Sequence, residues 1–269
     1  MAREAAGPVW VDGKIRPLDE PVVRADDGAF AEGRGCYTAV RIRNGRPRFA
    51  ERHLQRLVRG AEALRLGALD PQQVSRALEE LSVAAFPNGE GIVRLQLSRD
   101  ARGTLHLVGV PRGLGDEPAT WRAIVAPIVH DGGLALPGGH KLSNRLAQSL
   151  AADMSDAAGA HESLLLDAEG RLVEGARSNV LVVTRDGTLR TPPLVRGAVD
   201  GIGRQLALAR VDGIQESDVR GAELHEALEI IAVNSVRGAV PIVSLDARPV
   251  GEGSPGPWAK QLAGALEAE

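Results

Sequence analysis

The chain has 269 residues, 43% hydrophobic and 25% charged, with a net charge of -3, a composition ordinary for a globular protein of one large or two smaller domains. That charge leaves no electrostatic case for nucleic acid, and a single cysteine, Cys36, excludes an intramolecular disulfide. No apolar run approaches the length of a membrane span and the N-terminus lacks a signal-peptide core, so the expectation is a cytoplasmic protein with no membrane partner.

Val9-Trp10-Val11 and Ile15 flank the turn Asp12-Gly13-Lys14, which predicts a hairpin. Residues 21–31, with Pro21, Asp26, Asp27 and Gly28, read as a loop with a short strand. The stretch Gly33-Arg34-Gly35-Cys36-Tyr37-Thr38-Ala39-Val40-Arg41-Ile42 becomes alternating in its second half and stops at the turn Asn44-Gly45. Glycines ahead of a strand let the backbone pass close to something else; the plain alternative is a hairpin corner. Leu54, Leu57, Val58, Ala61 and Leu64 share one face of a helix over 51–66, with His53 and Arg56 on its flank. Taken alone, Arg56 is a surface arginine. A second helix covers 71–85, with Pro71 in its first turn. Strands at 92–97 and 104–110 meet at Arg99-Asp100-Ala101-Arg102-Gly103. Two strands, two helices and two strands make a compact α+β unit.

Residues 113–119 contain two glycines and a proline and little apolar content, and are the best linker. The expected division is a small N-terminal domain at 1–112 and a larger one at 120–269. After the linker, 121–129 reads as a strand, Gly132-Gly133 and Pro137-Gly138-Gly139 as a loop, and Leu146, Leu150, Ala151 and Met154 as a helix. Strands follow at 162–167, 171–174 and 179–184, then a helix from Gly201 through Ala209, a short helix near 220–227, an apolar strand at 229–233 and a final helix at 257–268.

The sequence lacks most of the short motifs that mark metal, nucleotide or hydrolase sites. There is no His-Glu-x-x-His, Cys-x-x-Cys or His-x-His, so no metal site is expected. Gly-x-Ser-x-Gly is absent, and Gly33-x-Gly35 lacks the third glycine of a dinucleotide fingerprint. The six histidines are scattered, and none is assigned to catalysis.

Lysine use is more informative. Lys14, Lys141 and Lys260 are the only lysines among 32 basic residues. Lys14 lies in a turn and Lys260 in the last helical pattern of the chain, both expected on the surface. Lys141 follows a glycine-rich loop and precedes a helix. Arginine keeps its proton in proteins, whereas a lysine can be tuned into an amine nucleophile. A snorkelling lysine at a helix start is the plain alternative. Three further features suit the same chemistry: the strand carboxylate Glu174, the helix start at 201–204 with N–H groups for an anion, and the loop 234–238 with Ser235 and Arg237. Together they suit pyridoxal 5'-phosphate, whose aldehyde needs an amine, whose ring nitrogen needs an acid and whose phosphate needs N–H donors and an arginine.

Over nearly its whole length the sequence resembles the fold type IV pyridoxal-phosphate enzymes, which include branched-chain and D-amino-acid aminotransferases and 4-amino-4-deoxychorismate lyase. Residues 33–41 look like the family's glycine-aromatic strand and His53-Leu54-Gln55-Arg56-Leu57 like its phosphate-arginine helix. Lys141 matches the Schiff-base lysine, and Glu174-Gly175-Ala176-Arg177-Ser178-Asn179 the segment that meets the pyridine nitrogen. Gly201-Ile202-Gly203-Arg204 and the turn from Asn234 to Gly238 match the phosphate-binding turns. The resemblance implies an α+β fold of two domains with the cofactor between them, and a homodimer acting on a small molecule. It implies catalytic roles for Lys141, Glu174 and Thr38. Cofactor contacts would come from Arg56, Ile202, Gly203 and Ser235 besides Lys141 and Glu174. Substrate contacts would come from Tyr37, Thr38, Asn144, Arg145, Val236 and Arg237. Within the family, Lys141-x-x-Asn144-Arg145-Leu146-x-Gln148 is similar to the lyase pattern, and Thr38 stands where the lyase carries threonine. The expected activity is therefore the lyase reaction of the folate pathway, with a class IV aminotransferase for D- or branched-chain amino acids as the alternative. A cofactor-free binding protein on the same fold is the third reading.

Overall fold

The computed structural model describes residues 7–116, 118–130 and 139–267; the expected loop at Gly132-Gly133 and Pro137-Gly138 lies outside the described residues. The chain forms two compact units, Met1–Asp116 with His140–Asn144, and Glu117–Gly139 with Arg145–Glu269.

The first unit holds β1 (Val9–Val11), β2 (Lys14–Arg16), α1 (Gly28–Glu32), β3 (Gly35–Arg43), β4 (Arg46–Pro47), α2 (Ala50–Ala63), α3 (Pro71–Ala85), β5 (Gly91–Arg99) and β6 (Leu105–Arg112). Its six strands form an antiparallel sheet in the order β2-β1-β6-β5-β3-β4. Leu57 and Ala61 of α2 and Val74, Leu78 and Leu81 of α3 pack on Val40, Ile42, Val93, Leu95 and Leu97 of the sheet. Each large aliphatic side chain so buried contributes roughly 1.5–3 kcal/mol, and this core fixes the face of β3 that α2 covers. The segment expected as a loop with a strand contains α1 instead. Asp27 accepts from the Ala29 and Phe30 N–H groups at 2.9 and 3.1 Å, so the Asp-Gly pair is a helix cap.

The second unit holds β7 (Trp121–Val129), α4 (Leu146–Ala157), β8 (Glu162–Leu166), β9 (Leu172–Gly175), β10 (Asn179–Val183), β11 (Leu189–Thr191), α5 (Ile202–Arg210), β12 (Ile214–Glu216), α6 (Gly221–Leu224), β13 (Glu229–Asn234), β14 (Gly238–Leu245), β15 (Arg248–Pro249) and α7 (Pro257–Glu267). Its main sheet runs β12-β11-β10-β13-β14-β7-β8-β9, with β15 on β14. The β14–β7, β7–β8 and β11–β12 pairs are parallel. Strand β14 escapes a local reading of 238–245 because Pro241 and a half-buried pattern blur its alternation. The helix α4 turns Ala151, Ala152 and Ser155 inward, while Leu146, Leu150 and Met154 are exposed. No helix among the described residues is long and apolar enough to cross a membrane.

Candidate active site

In the first unit the segment from His140 to Asn144 lies along the start of β3. The Tyr37 N–H donates to the Lys141 carbonyl at 2.9 Å, and the Ser143 N–H donates to the Gly35 carbonyl at 2.8 Å. A Cβ on Gly35 would stand 2.7 Å from Ser143 Oγ and 2.8 Å from the Leu97 carbonyl, so glycine is what admits this backbone. At Gly33, which ends α1 with φ +67°, a Cβ would meet that of Asn144 at 3.2 Å.

Lys141 and Arg94 share one aromatic ring. Lys141 Nζ is 4.9 Å from the Tyr37 centroid, and the Arg94 guanidinium carbon is 4.1 Å from it. Arg94 also donates to Gln96 Oε1 at 2.8 Å, and Gln96 donates to the Cys36 carbonyl at 3.3 Å and to Ser143 Oγ. Arg94 and Gln96 were not singled out from the sequence. The signal was the alternation of Arg94, Gln96 and Ser98, three polar residues on one face of a strand whose other face carries Val93, Leu95 and Leu97.

Thr38 occupies the next position on β3 and is fully buried. Its Oγ1 lies 2.6 Å from His53 Nδ1 and accepts from Arg56 Nη2. Arg56 Nη2 is also 3.3 Å from His53 Nδ1. His53 is 0% and Arg56 7% exposed, so neither lies on the solvated flank of α2. Burial first, then the charges of Arg56 and Lys141, push His53 well below its ordinary value, and the ring is neutral.

The second unit gathers a separate set of residues. Glu174 on β9 is 4% exposed. Its Oε2 accepts from the Val199 N–H at 2.9 Å, its Oε1 accepts from Gln148 Nε2 at 3.2 Å, and His130 Nε2 is 3.8 Å from Oε1. Gln148 Nε2 is 3.2 Å from His130 Nε2 too, and an amide donor there requires the imidazole proton on Nδ1. Arg145, just before α4, donates to the Ala176 carbonyl at 3.3 Å. Helix α5 starts at Ile202 and Gly203 after the N-cap Gly201, which provides no side-chain cap. A Cβ on Gly203 would stand 2.8 Å from the backbone of Asn234. That close approach sets the start of α5 against the turn of Ser235, Val236 and Arg237. Asn234 Oδ1 holds this turn, accepting from the Val236 and Arg237 N–H groups at 3.0 and 2.7 Å. His130 and Gln148 are further residues that sequence reasoning left without a role.

The donor set fits pyridoxal 5'-phosphate. The first unit carries the lysine amine; the second, by itself, carries a buried carboxylate of the kind a ring N–H needs, an uncapped helix N-terminus, and a glycine-made cradle that a side chain would fill. No group of three His, Cys, Asp or Glu side chains that could hold a metal occurs among the described residues.

Residues 35–245 match the family described as amino-transferase class IV. The chain belongs to this family. It is 30% identical over 269 residues to a bifunctional aminodeoxychorismate lyase / D-amino acid transaminase of Mycobacterium tuberculosis, covering 89% of this chain and 91% of the relative. It is 25% identical over 271 residues to a putative branched-chain-amino-acid aminotransferase of Methanocaldococcus jannaschii, covering 94% and 93%. Among solved structures, a hypothetical aminotransferase from Mycobacterium tuberculosis in its PLP-bound form superposes with a TM-score of 0.83 at 26% identity, covering 97% of this chain and 98% of that one. The fold is that of the type IV pyridoxal-phosphate enzymes, the protein is an enzyme of this class, and its cofactor is pyridoxal 5'-phosphate.

Proposed function

We propose that this class IV enzyme is a 4-amino-4-deoxychorismate lyase, releasing pyruvate to leave 4-aminobenzoate. The observation that carries the reading is the contact between Gln148 and Glu174. It supplies a physical role for the last residue of the lyase-like pattern Lys141-x-x-Asn144-Arg145-Leu146-x-Gln148. Thr38, and the relative whose name includes the lyase activity, support the same reading. That relative's second activity favours one alternative, transamination of D-amino acids.

When bound, the cofactor supplies an electron sink for charge developing on the carbon that bears the substrate amine. Lys141 would hold it, and the Lys141 Nζ would serve as the base that takes the proton from that carbon and as the acid that delivers a proton to the departing pyruvate. Glu174, held by Gln148 and the Val199 N–H, keeps the ring nitrogen protonated. Arg94, stacked on Tyr37, supplies positive charge for a substrate carboxylate near the Lys141 amine. Arg56, Ile202, Gly203 and Ser235 bind the phosphate. Asn144, Arg145, Val236 and Arg237 shape the substrate end. The enzyme is cytoplasmic and works as a homodimer; the exposed Leu146, Leu150 and Met154 on α4 support a partner-covered surface.

Product analysis tests this. Aminodeoxychorismate should give equal amounts of 4-aminobenzoate and pyruvate with no keto-acid acceptor and no lasting loss of the cofactor's visible absorbance. Rapid bleaching by D-alanine or L-leucine, restored by 2-oxoglutarate, with no 4-aminobenzoate formed, would assign the protein to the aminotransferases.

A further inference from the structure

Arg56, read above as the phosphate-binding arginine, does not stand alone. Its Nη2 donates to Thr38 Oγ1, and that oxygen is 2.6 Å from His53 Nδ1. Arginine has no acceptor, so both the oxygen and Nδ1, 3.3 Å from Nη2, face a donor. Nδ1 therefore carries the lone pair and the ring proton is on Nε2. The Thr38 hydroxyl takes a hydrogen bond from Arg56 and passes its own proton toward His53. Its rotor is thereby fixed, and so is the plane of the guanidinium.

Two independent observations say that this arrangement does more than fill space. His53 Nε2 is buried and makes no hydrogen bond among the described residues. A buried N–H without an acceptor is destabilising, and an aliphatic side chain would avoid that cost. What the imidazole adds over an aliphatic residue is the Nδ1 acceptor. In addition, the ring is neutral, held so by burial and by Arg56 and Lys141, so it accepts beside two cations without adding a third charge.

We propose that Thr38 and His53 are positioning residues, a hydroxyl-imidazole relay that orients the Arg56 guanidinium for the phosphate of the cofactor. The proposal rests on the reading of Arg56 as a phosphate ligand. On this view Thr38 acts through Arg56 and sets cofactor affinity, where the family resemblance implied a catalytic role and a substrate contact.

The test compares pyridoxal 5'-phosphate with pyridoxal, which lacks the phosphate, by titrating the cofactor-free full-length protein and following visible absorbance. Thr38→Val and His53→Leu should each lower affinity for pyridoxal phosphate about tenfold, the loss of one charge-assisted hydrogen bond, and leave pyridoxal affinity unchanged. Thr38→Ser restores the hydroxyl and His53→Asn restores an acceptor near the place of Nδ1, so both should bind close to wild type. If one of the two disruptive variants does not fold, the other decides, with its rescue partner. Equal losses for both ligands would mark general damage to α2 and overturn the proposal. So would wild-type discrimination in Thr38→Val and His53→Leu while Arg56→Ala loses it. Wild-type discrimination in Arg56→Ala would overturn the phosphate reading itself, and the relay with it.

Discussion

Gln148 Nε2 donates to Glu174 Oε1 at 3.2 Å, from the first turns of α4 to a strand 26 residues on. Hydrogen bonds to charged groups are worth roughly 1.5–3 kcal/mol, so this one decides how firmly the carboxylate is aimed. Gln148→Leu is expected to lower kcat about tenfold with the cofactor still bound. Steady-state rates and the visible spectrum of the purified variant check this; an unchanged kcat would dissociate Gln148 from the chemistry.

Glu174 itself should be far more sensitive. Glu174→Gln retains an oxygen for the Val199 N–H but loses the negative charge that its proposed role beside a ring nitrogen requires. Turnover is expected to drop about a hundredfold or more while the cofactor stays in place. Activity assays alongside cofactor content separate the two effects, and a fully active Glu174→Gln enzyme would remove this strand from the site.

Gly203→Ala sets two known effects against each other. In a helix, alanine is favoured over glycine by roughly 0.5–1 kcal/mol. Here the new Cβ would stand 2.8 Å from the Asn234 backbone, and such overpacking costs about 1–3 kcal/mol. The steric term wins, so Tm should fall and cofactor affinity weaken together as α5 and the 234–238 turn are pushed apart. A variant more stable than wild type would show that the two backbones have room to spare.

Stability should also carry a signature of Glu162. Its carboxyl is fully buried, and burial raises it from about 4.5 to about 7 despite hydrogen bonds from Ser178 Oγ and the Ser163 and Arg177 N–H groups and the charge of Arg177. Between those values the folded chain binds the proton and the unfolded chain does not. Stability from this group is therefore complete below about pH 4.5 and is lost as pH rises through about 7. The window corresponds to about 3 kcal/mol. Denaturant melts of wild type and Glu162→Gln across this range give the group's share as their difference. Parallel pH profiles would show that Glu162 does not titrate there.

Much of the fold was legible in the sequence because its signals are local. Helices α2 and α3 follow from 3.6-residue spacing, and β7 to β10 from short apolar runs between turn residues. Lys141 stood out by residue type alone, and the family segments around it by their order along the chain. Other features depend on pairings between distant residues. Strand alternation places Tyr37 and Thr38 on opposite faces of β3, but only the register with β5, Thr38 beside Leu95, and the packing of α2 decided which faces the helix. That choice turned His53 and Arg56, expected on a flank, into buried partners of Thr38. On α4 the apolar spacing predicted a helix correctly, yet the small residues Ala151, Ala152 and Ser155 face inward and the large ones outward. A sheet packed closely against a helix admits short side chains, and periodicity does not report that distance. His130 and Gln148 reach Glu174 from 44 and 26 positions away in sequence. Chain order was enough to place this protein in its family; the strand register and the helix packing decided which side chains lie against Thr38 and Glu174, because hydrogen bonds between distant residues leave no local pattern.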